Sequence, residues 1–315
     1  MPMVSDIRRH FPDANIDWVV EEAYVSLVRM HPDVRTIIPI ALRRWRKNLL
    51  SAATWREIAD FRSLLKREAY DIVFDTQGLL KTSLVMRMAR MAADGKRVGL
   101  ANATEGSGYE PLSRIFHTSS IPVDVRSHAV LRARLVAGAA LGYEVGDPIN
   151  FKWQSTDLGL ALLPSCLPAE PYAVFFHASA RTEKQWDASN WIQVAKQLSQ
   201  RNLLVLLPWG DAAEKQVAEY LASQMENARV LPRLSLMEAV MLARHAALVI
   251  GVDTGLTHVA AAFDRPTIEL YCDSPRWKTE GNWSAQIVNL GDTGSAPSVE
   301  QVSNAVSVLL DSIRN

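Results

Sequence analysis

Apolar runs and amphipathic segments alternate along almost the whole chain. Continuous apolar runs such as Leu203–Leu207 and Ala247–Ile250 are typical of strands in a parallel sheet that is covered on both faces. The pattern predicts strands at 16–20, 35–40, 71–74, 97–100, 172–177, 203–208, 229–231, 247–251, 267–271 and 286–290. It predicts helices near 3–11, 22–30, 52–68, 78–92, 127–141, 188–200, 212–225, 235–245, 254–263 and 298–313.

This alternation predicts an α/β protein built from doubly wound domains. Glycine and proline residues interrupt the pattern between about 145 and 170, so we expect one domain at 1–150 and a second at 151–315. The last helix is a candidate for crossing back toward the first domain. Ser235 and Glu238 form a capping-box pattern, which predicts the start of one helix.

Composition excludes several classes of protein. The 315 residues are 48% hydrophobic and carry a formal net charge of zero, which does not suit a general nucleic-acid binder. The two cysteines, Cys166 and Cys272, lie far apart, so neither a disulfide framework nor a zinc site is expected. The chain begins without an apolar signal core, and no apolar run is long enough to span a bilayer. A soluble protein, or one attached to a membrane surface, is expected.

Two strand-to-loop-to-helix units suggest a diphosphate site. The segment Gly251–Ala262 places a turn and a helix start directly after a buried strand, where free backbone N–H groups can hold an anion. The loop after Phe176 adds Arg181 and Lys184. A glycine-containing turn of this kind is also common in proteins that bind no phosphate, so neither unit decides the function by itself.

Other polar loops also follow predicted strands, at 75–78 and 208–211. In open α/β sheets, ligands bind at the carboxyl ends of the strands, so we expect these loops to converge on one cleft between the two domains. The segment Gln77–Thr82 lacks the glycine that a P-loop needs before its lysine, which excludes nucleoside triphosphate hydrolysis of that type.

A set of short motifs resembles one known family. In order along the chain they are Trp18–Glu22, Ile40–Lys47, Asp75–Lys81, His177–Arg181, Lys184–Trp186, Leu207–Gly210 and Val252–His258. As a set they resemble the lipopolysaccharide heptosyltransferase I family, bacterial glycosyltransferases of family 9. The resemblance implies a GT-B fold, in which two Rossmann-like domains face a cleft. It also implies inverting transfer of L-glycero-D-manno-heptose from ADP-heptose to Kdo of the lipopolysaccharide inner core (Kdo2-lipid A).

The resemblance assigns the donor site to the second domain. Its residues would be Ser179, Lys184, Glu214, Asp253, Thr254, Gly255 and His258. Simpler interpretations stay open for most of them: an exposed loop lysine for Lys184, a solvated helix residue for Glu214, helix capping for Asp253 and Thr254, and a neutral packed side chain for His258. No metal or other cofactor is expected, since Lys184 would compensate the phosphate charge.

The resemblance assigns the acceptor site to the first domain. Its residues would be Arg43, Arg44, Arg46, Lys47, Asp75, Gln77 and, less directly, Glu110. Guanidinium groups pair well with carboxylates and phosphates, which the acceptor carries. The basic cluster is also compatible with a plain solvated face, or with attachment to the cytoplasmic side of an anionic inner membrane in a Gram-negative bacterium.

One departure from the family concerns the start of the chain. The family begins with a strand and a loop that carries the aspartate thought to act as base, whereas this chain starts at what resembles the following helix. Asp6 lies within that helix and does not match the base. The sequence therefore identifies no catalytic residue, and it indicates a shortened chain or a form with impaired chemistry.

Two alternative functions follow from these observations. One is a heptosyltransferase for the next inner-core position, and the other is a nucleotide-sugar binding protein without catalysis. Turnover of a heptosylated acceptor would favour the first, and ADP binding without turnover would favour the second.

Overall fold

The computed structural model describes residues 1–146, 149–153 and 167–312. The chain divides into two compact units, Met1–Gln154 and Ser155–Asn315, each with its own apolar core. Each unit is described separately below.

The strands are β1 (Asp17–Glu21), β2 (Thr36–Ile40), β3 (Tyr70–Asp75), β4 (Met91–Leu100), β5 (Ser119–Ile121), β6 (Tyr172–Phe176), β7 (Leu204–Leu207), β8 (Ala228–Val230), β9 (Leu248–Val252), β10 (Thr267–Tyr271) and β11 (Ile287–Gly291). The α-helices are α1 (Pro2–His10), α2 (Val25–Arg29), α3 (Leu42–Trp45), α4 (Ala52–Leu65), α5 (Leu80–Met88), α6 (Ala129–Leu141), α7 (Ala188–Gln200), α8 (Ala212–Gln224), α9 (Leu236–His245), α10 (Gly255–Ala262) and α11 (Val299–Ser312). Short 3-10 helices cover Glu22–Tyr24, Pro111–Phe116, Thr182–Lys184 and Arg276–Lys278.

Most elements lie where the apolar pattern predicts them, and the main error falls in the first unit. The predicted helix 78–92 is wrong at its end: α5 stops at Met88, and β4 begins at Met91, which pairs with Tyr70 of β3. The pattern Met88-Ala-Arg-Met-Ala-Ala is compatible with a helix, but pairing with β3 favours a strand. The pattern also missed β5 and the short α3.

The described strands of the first unit form two separate parallel sheets, β1–β2 and β3–β4–β5. Asp17, at the start of β1, links the two sheets. Its carboxylate accepts a hydrogen bond from Arg35 at 2.7 Å, next to β2, and another from the hydroxyl of Tyr70 at 2.9 Å, at the start of β3. These bonds lie at the amino ends of the strands, opposite the ends that carry the candidate loops.

A buried ion pair joins α1 to α6. The guanidinium of Arg134 donates to both carboxylate oxygens of Asp6, at 2.6 and 3.2 Å, and both side chains are buried. A buried carboxylate needs such a partner, because burial without one is strongly unfavourable. Asp6 therefore stabilises the packing of α1 against α6.

The second unit contains one six-stranded parallel sheet in the order β11-β10-β9-β6-β7-β8. Counted from β6 as the first strand, this is the 3-2-1-4-5-6 order of dinucleotide-binding folds. Strands β6, β9 and β10 are buried at every position, which explains the uninterrupted apolar sequences of β6 and β9. The strand order reverses between β6 and β9, and such a switch point is where open α/β sheets bind ligands.

Aromatic residues fill the space between this sheet and α7. The ring of Trp191 on α7 lies 4.7 Å from Phe175 of β6 and 5.2 Å from Trp186, which precedes the helix. The last helix, α11, packs against α7, β10 and β11 of the same unit. Because Trp186 is held in this core, the loop that precedes it, including Lys184, is anchored close to the end of β6.

Within the described ranges, no helix combines the length and the apolar character that crossing a membrane requires.

Candidate functional site

The strongest candidate site lies at the switch point of the second unit. Strands β6 and β9 are parallel neighbours, with Phe176 opposite Gly251, so the loops that follow them leave the sheet side by side. The first loop carries Lys184 in a 3-10 turn, and the second carries Asp253. The ammonium group of Lys184 contacts the carboxylate of Asp253, which brings together the two motifs that the sequence singled out.

Asp253 also pairs with a histidine. Its Oδ2 contacts Lys184, while its Oδ1 lies 2.9 Å from Nε2 of His258, one turn into α10. Burial raises the pKa of Asp253, but the hydrogen bonds from His258 and Lys184 outweigh burial and hold this pKa well below its usual range. Asp253 is therefore ionised and compensated by two cations.

His258 lies between two carboxylates. Its Nδ1 is 2.7 Å from Oε1 of Glu269, which is fully buried in β10. Burial lowers the pKa of His258, but the hydrogen bonds with Asp253 and Glu269 outweigh burial and raise the pKa to about 9. The contacts with two carboxylates therefore favour a protonated ring at neutral pH over the neutral packed histidine that the sequence also allowed.

The start of α10 faces open space. Thr254 is the N-cap residue in extended conformation, which corrects the alternative prediction that Asp253 only caps this helix. A Cβ atom added to Gly255 would meet no described atom within 4 Å. A Cβ added to Gly251 would instead lie 2.1 Å from the hydroxyl oxygen of Thr257, so only glycine lets the helix approach β9 this closely. The first turn of α10 can thus offer N–H groups to an anion.

A pocket of about 390 Å³ opens beside the ion pair. It is lined by Arg181, Lys184, Asp253, Asp273, Ser274, Pro275, Lys278, Thr279 and Thr293. Arg181 forms an ion pair with the neighbouring Glu183. The volume is within the range of small-molecule sites. Cations and hydroxyl groups on its walls favour an anionic ligand.

The sequence missed the wall of this pocket that follows β10. The side chain of Ser274 is only 4% exposed, and its hydroxyl has no hydrogen-bond partner among the described residues. Such a group usually points to a missing ligand or water. Lys278 and Thr279 lie on the same wall. The rule that ligands bind at strand carboxyl ends, if applied to the loop after β10, would have found all three.

Two predicted donor residues of this unit, Ser179 and Glu214, lie outside the pocket lining. Ser179 is half-buried in the loop after β6, and its hydroxyl accepts a hydrogen bond from the backbone N–H of Arg181 at 3.4 Å. Glu214 lies in the first turn of α8, where its carboxylate accepts the backbone N–H of Gly210 at 2.6 Å. This bond organises the loop after β7. Neither side chain lines the pocket described above, and their proposed donor contacts stay predictions.

The basic cluster of the first unit splits into two kinds of residue. Arg44 is bound by two carboxylates, with Glu22 at 3.0 Å and Glu57 at 2.8 Å, and these bonds raise its pKa. Arg44 therefore serves the local structure, and its predicted acceptor contact has little support. By contrast, the side chains of Arg43, Arg46 and Lys47 are exposed and form no ion pair with the described residues.

The loop after β3 is organised by Asp75. One carboxylate oxygen accepts the backbone N–H groups of Gln77 and Gly78 at 3.0 and 3.1 Å, and the other accepts the hydroxyl of Ser83 at 2.6 Å. Gly78 has a φ of 68°, which favours glycine in this turn. Since Asp75 is only 3% exposed, its role is to position the loop, and the direct acceptor contact predicted for it is not supported.

Gln77 and Glu110 remain accessible beside this loop. Gln77 is exposed at the turn that Asp75 holds. The carboxylate of Glu110 accepts the backbone N–H of Leu80 at 2.5 Å, so it caps the start of α5 from a distant part of the chain. The structure thus places Glu110 next to the loop after β3, which carries Asp75 and Gln77.

Parallel sheets with a cation and a helix start at a switch point are typical of nucleotide-binding α/β proteins, and comparison with known sequences gives the class. The chain belongs to glycosyltransferase family 9 (heptosyltransferase), whose sequence model matches residues 58–308. It is a glycosyltransferase of the GT-B fold class.

Similarity to individual proteins supports this family assignment. The chain is 38% identical to lipopolysaccharide heptosyltransferase 1 of Pseudomonas aeruginosa, over 86% of this chain and 74% of that protein. It is 36% identical to the protein of the same name from Salmonella typhimurium, over 86% and 83%. Among solved structures, E. coli heptosyltransferase WaaC with ADP matches with a TM-score of 0.81 and 31% identity, over 99% of this chain and 94% of that chain.

Proposed function

We propose that this protein transfers L-glycero-D-manno-heptose from ADP-heptose to the Kdo region of the lipopolysaccharide inner core, with inversion at the anomeric carbon. The observation that carries the proposal is the placement of Lys184 beside the open start of α10, at the switch point of the second sheet. This arrangement suits the diphosphate of a nucleotide sugar. Relatives named lipopolysaccharide heptosyltransferase 1 and a WaaC structure with ADP-2-deoxy-2-fluoro heptose support the choice of donor.

In this mechanism the second unit holds the donor. The ammonium of Lys184 and the N–H groups of Thr254 and Gly255 contact the diphosphate, and they stabilise the charge that develops on ADP as it leaves. The hydroxyl of Ser274 and the ammonium of Lys278 contact the same ligand from the wall of the pocket that follows β10. Charge compensation by lysine and backbone N–H groups performs the task that a metal ion performs in other glycosyltransferases.

The first unit binds the acceptor. Kdo carboxylates and lipid A phosphates are anionic, and Arg43, Arg46 and Lys47 offer exposed cations that are not engaged by carboxylates of the described chain. A Kdo hydroxyl then attacks the anomeric carbon on the face opposite to ADP. The C–O bond to Kdo forms as the C–O bond to ADP breaks, and the proton of the hydroxyl passes to a base.

The same region suits a membrane surface. Beyond the exposed cations, Leu50 is fully exposed, and Leu49 and Trp55 are 51% and 58% exposed. The indole N–H of Trp55 donates to the carbonyl of Leu49 at 2.8 Å, so the aromatic ring is held in an exposed position with its polar atom satisfied. We name the surface formed by Arg43, Arg46, Lys47, Leu49, Leu50 and Trp55 the basic–apolar tip. Apolar residues beside cations are typical of surfaces that bind anionic lipids.

We therefore propose that the protein acts at the cytoplasmic face of the inner membrane of a Gram-negative bacterium, where the basic–apolar tip contacts the layer that contains the acceptor. Leucine and tryptophan side chains enter the interface, and the cations pair with headgroup phosphates. This position concentrates the enzyme near a lipid-linked acceptor that does not diffuse into water.

The experiment that tests the proposed reaction is release of ADP from ADP-heptose with Kdo2-lipid A as acceptor. We expect release that depends on the acceptor, together with a product heavier by one heptose. The control uses an acceptor that already carries the first heptose. Preference for that acceptor would instead indicate transfer to the next inner-core position. Binding of ADP-heptose by a folded chain without any turnover would indicate a binding protein.

A further inference from the structure

Glu269 is a buried carboxylate behind the donor pocket. It lies in the middle of β10, is fully buried, and is not part of the pocket wall. One oxygen contacts His258 at 2.7 Å, and the other accepts the hydroxyl of Tyr271 at 3.0 Å and the backbone N–H of Gly281 at 2.8 Å. A carboxyl group in a sheet interior is costly to bury unless such partners satisfy it, so a functional reason for its presence is expected.

A row of alternating charges leads from Glu269 to the pocket. Glu269 contacts His258, His258 contacts Asp253, and Asp253 contacts Lys184. The hydroxyl of Thr279 also reaches Asp253 at 3.4 Å. Only Lys184 and Asp253 of this row line the pocket, so Glu269 can act on a ligand only through His258 and Asp253.

Binding of a diphosphate would change the charge balance of this row, because Lys184 would then compensate a second anion. Lys184 is paired with Asp253, and the same ammonium is the group that the proposed function assigns to the donor diphosphate. If His258 were neutral, a shift of Lys184 toward the diphosphate would leave the half-buried Asp253 carboxylate poorly compensated beside an anionic ligand. That arrangement is unfavourable, because both desolvation and repulsion between like charges oppose it.

We propose that Glu269 is a positioning residue for donor binding: it holds His258 in its charged form and orientation, so that His258 compensates Asp253 and frees Lys184 for the diphosphate. This inference rests on the proposed function, since it deepens the account of the same donor site. His258 acts here as a fixed cation whose two ring N–H groups both donate, one to each carboxylate.

The charges around His258 agree with this role. Asp253 on the β9 loop and Glu269 on β10 face the ring directly, while Lys184 and Tyr271 lie one contact further away. Burial lowers the pKa of His258 and the two carboxylates raise it to about 9, so the ring keeps its proton through neutral pH. Burial and the nearby Glu269 raise the pKa of Tyr271, so its hydroxyl stays protonated and donates to Glu269.

The test compares the wild type with Glu269→Gln. Affinity for ADP-heptose is measured by calorimetry between about pH 6 and about pH 9, a range in which histidine is the side chain that titrates most readily. The diphosphate diester of this donor stays fully ionised there. For the wild type we expect affinity to change by about twofold or less up to about pH 8. For Glu269→Gln we expect near wild-type affinity at about pH 6 and a loss of about tenfold or more by about pH 8.5.

His258→Gln provides the matched control, because it removes the titrating group: its donor binding should be weak and independent of pH. Equal pH profiles for the wild type and Glu269→Gln would overturn the proposal. A purely structural role of Glu269 would lower affinity by the same factor at every pH. Failure of the wild type to bind ADP-heptose at any pH would instead contradict the proposed function.

A second measurement needs no substitution. An NMR titration of histidine-labelled wild-type protein should show His258 losing its proton near pH 9. A midpoint below about 7, close to that of an unperturbed histidine, would overturn the proposal even if the Glu269 variant failed to fold.

Discussion

Lys184 and Asp253, 69 residues apart in the chain, form an ion pair where β6 and β9 end side by side. The pair stands at the point where the strand order of the second sheet reverses, and it borders the pocket and the open start of α10. In the proposed function, Lys184 is held by Asp253 in the free protein and contacts the diphosphate when the donor is bound.

Replacement of Lys184 by alanine should weaken binding of ADP-heptose by about tenfold to a hundredfold, because a charge-assisted hydrogen bond to the diphosphate is lost. Calorimetry with ADP-heptose measures the effect. Lys215→Ala is the matched control, since Lys215 is an exposed lysine of the same unit that pairs with Glu219. Equal affinity of the Lys184 variant and the control would remove Lys184 from the donor site.

Ser274→Ala should lower donor affinity by about threefold to tenfold, the usual effect of one neutral hydrogen bond. The melting temperature should hardly change, because the buried hydroxyl has no hydrogen-bond partner among the described residues. The contrasting variant is Ser83→Ala, which removes a buried hydroxyl that donates to Asp75 at 2.6 Å. It should destabilise the fold by about 1–3 kcal/mol. Unchanged donor affinity in Ser274→Ala would exclude a contact between Ser274 and the donor.

Combined replacement of Arg43, Arg46 and Lys47 by alanine should raise the KM for Kdo2-lipid A by about tenfold or more, with unchanged affinity for ADP-heptose. The effect should shrink at high salt, because exposed charges are screened. Arg44→Ala should instead lower the melting temperature, since it breaks the contacts with Glu22 and Glu57. A triple variant that lost donor affinity while keeping its acceptor KM would contradict this assignment.

The basic–apolar tip should bind anionic vesicles. We expect Leu49→Ser/Leu50→Ser to reduce sedimentation with phosphatidylcholine vesicles that contain about a third phosphatidylglycerol, because the apolar contribution to binding is lost. Val308→Ser is the control, as Val308 is an exposed apolar residue on α11. Equal vesicle binding by the Leu49→Ser/Leu50→Ser and Val308→Ser variants would argue against the tip as the membrane contact. The same conclusion would follow if the wild type bound neutral vesicles as well as anionic ones.

The row of contacts from Glu269 through His258 and Asp253 to Lys184 should also make the stability of the fold depend on pH. The folded-state pKa of His258 is raised to about 9. The contribution of its protonated ring to the free energy of unfolding is therefore complete below about pH 6.5 and is lost as the pH rises through about 9. The pKa of Asp253 is depressed. The contribution of its ionised carboxylate to the free energy of unfolding is therefore present above about pH 4 and is lost as the pH falls. The row should therefore stabilise the fold most between about pH 4 and 6.5.

This pH dependence can be checked by measuring melting temperatures of the wild type and His258→Gln across the alkaline range. The wild type should lose more stability than the variant between about pH 7 and 9, because only the wild type gives up the proton on His258. Parallel curves would mean that His258 does not carry the charge assigned to it.

Much of the architecture could be predicted from the sequence. The apolar runs that became β6 and β9 are uninterrupted because both faces of those strands are covered, so this pattern predicted a parallel sheet. Prediction failed where local pattern and pairing disagreed. Met91 continues a helical pattern, yet it lies in β4 opposite Tyr70, and no local signal reports a partner more than twenty residues away.

The sequence by itself determined the fold class, the family resemblance and the loops that carry the chemistry, because these depend on periodicity and on short motifs that lie within one strand-turn-helix unit. Only the tertiary structure decided which side chains act together. In the sequence alone, Glu269 is a charged residue within a mostly apolar segment, and Arg44 is one of several cations in a basic cluster. Their roles appear once His258 is found 2.7 Å from Glu269, and Glu57 2.8 Å from Arg44. Charge compensation depends on distance and burial, and only folding sets either of these for residues on different elements.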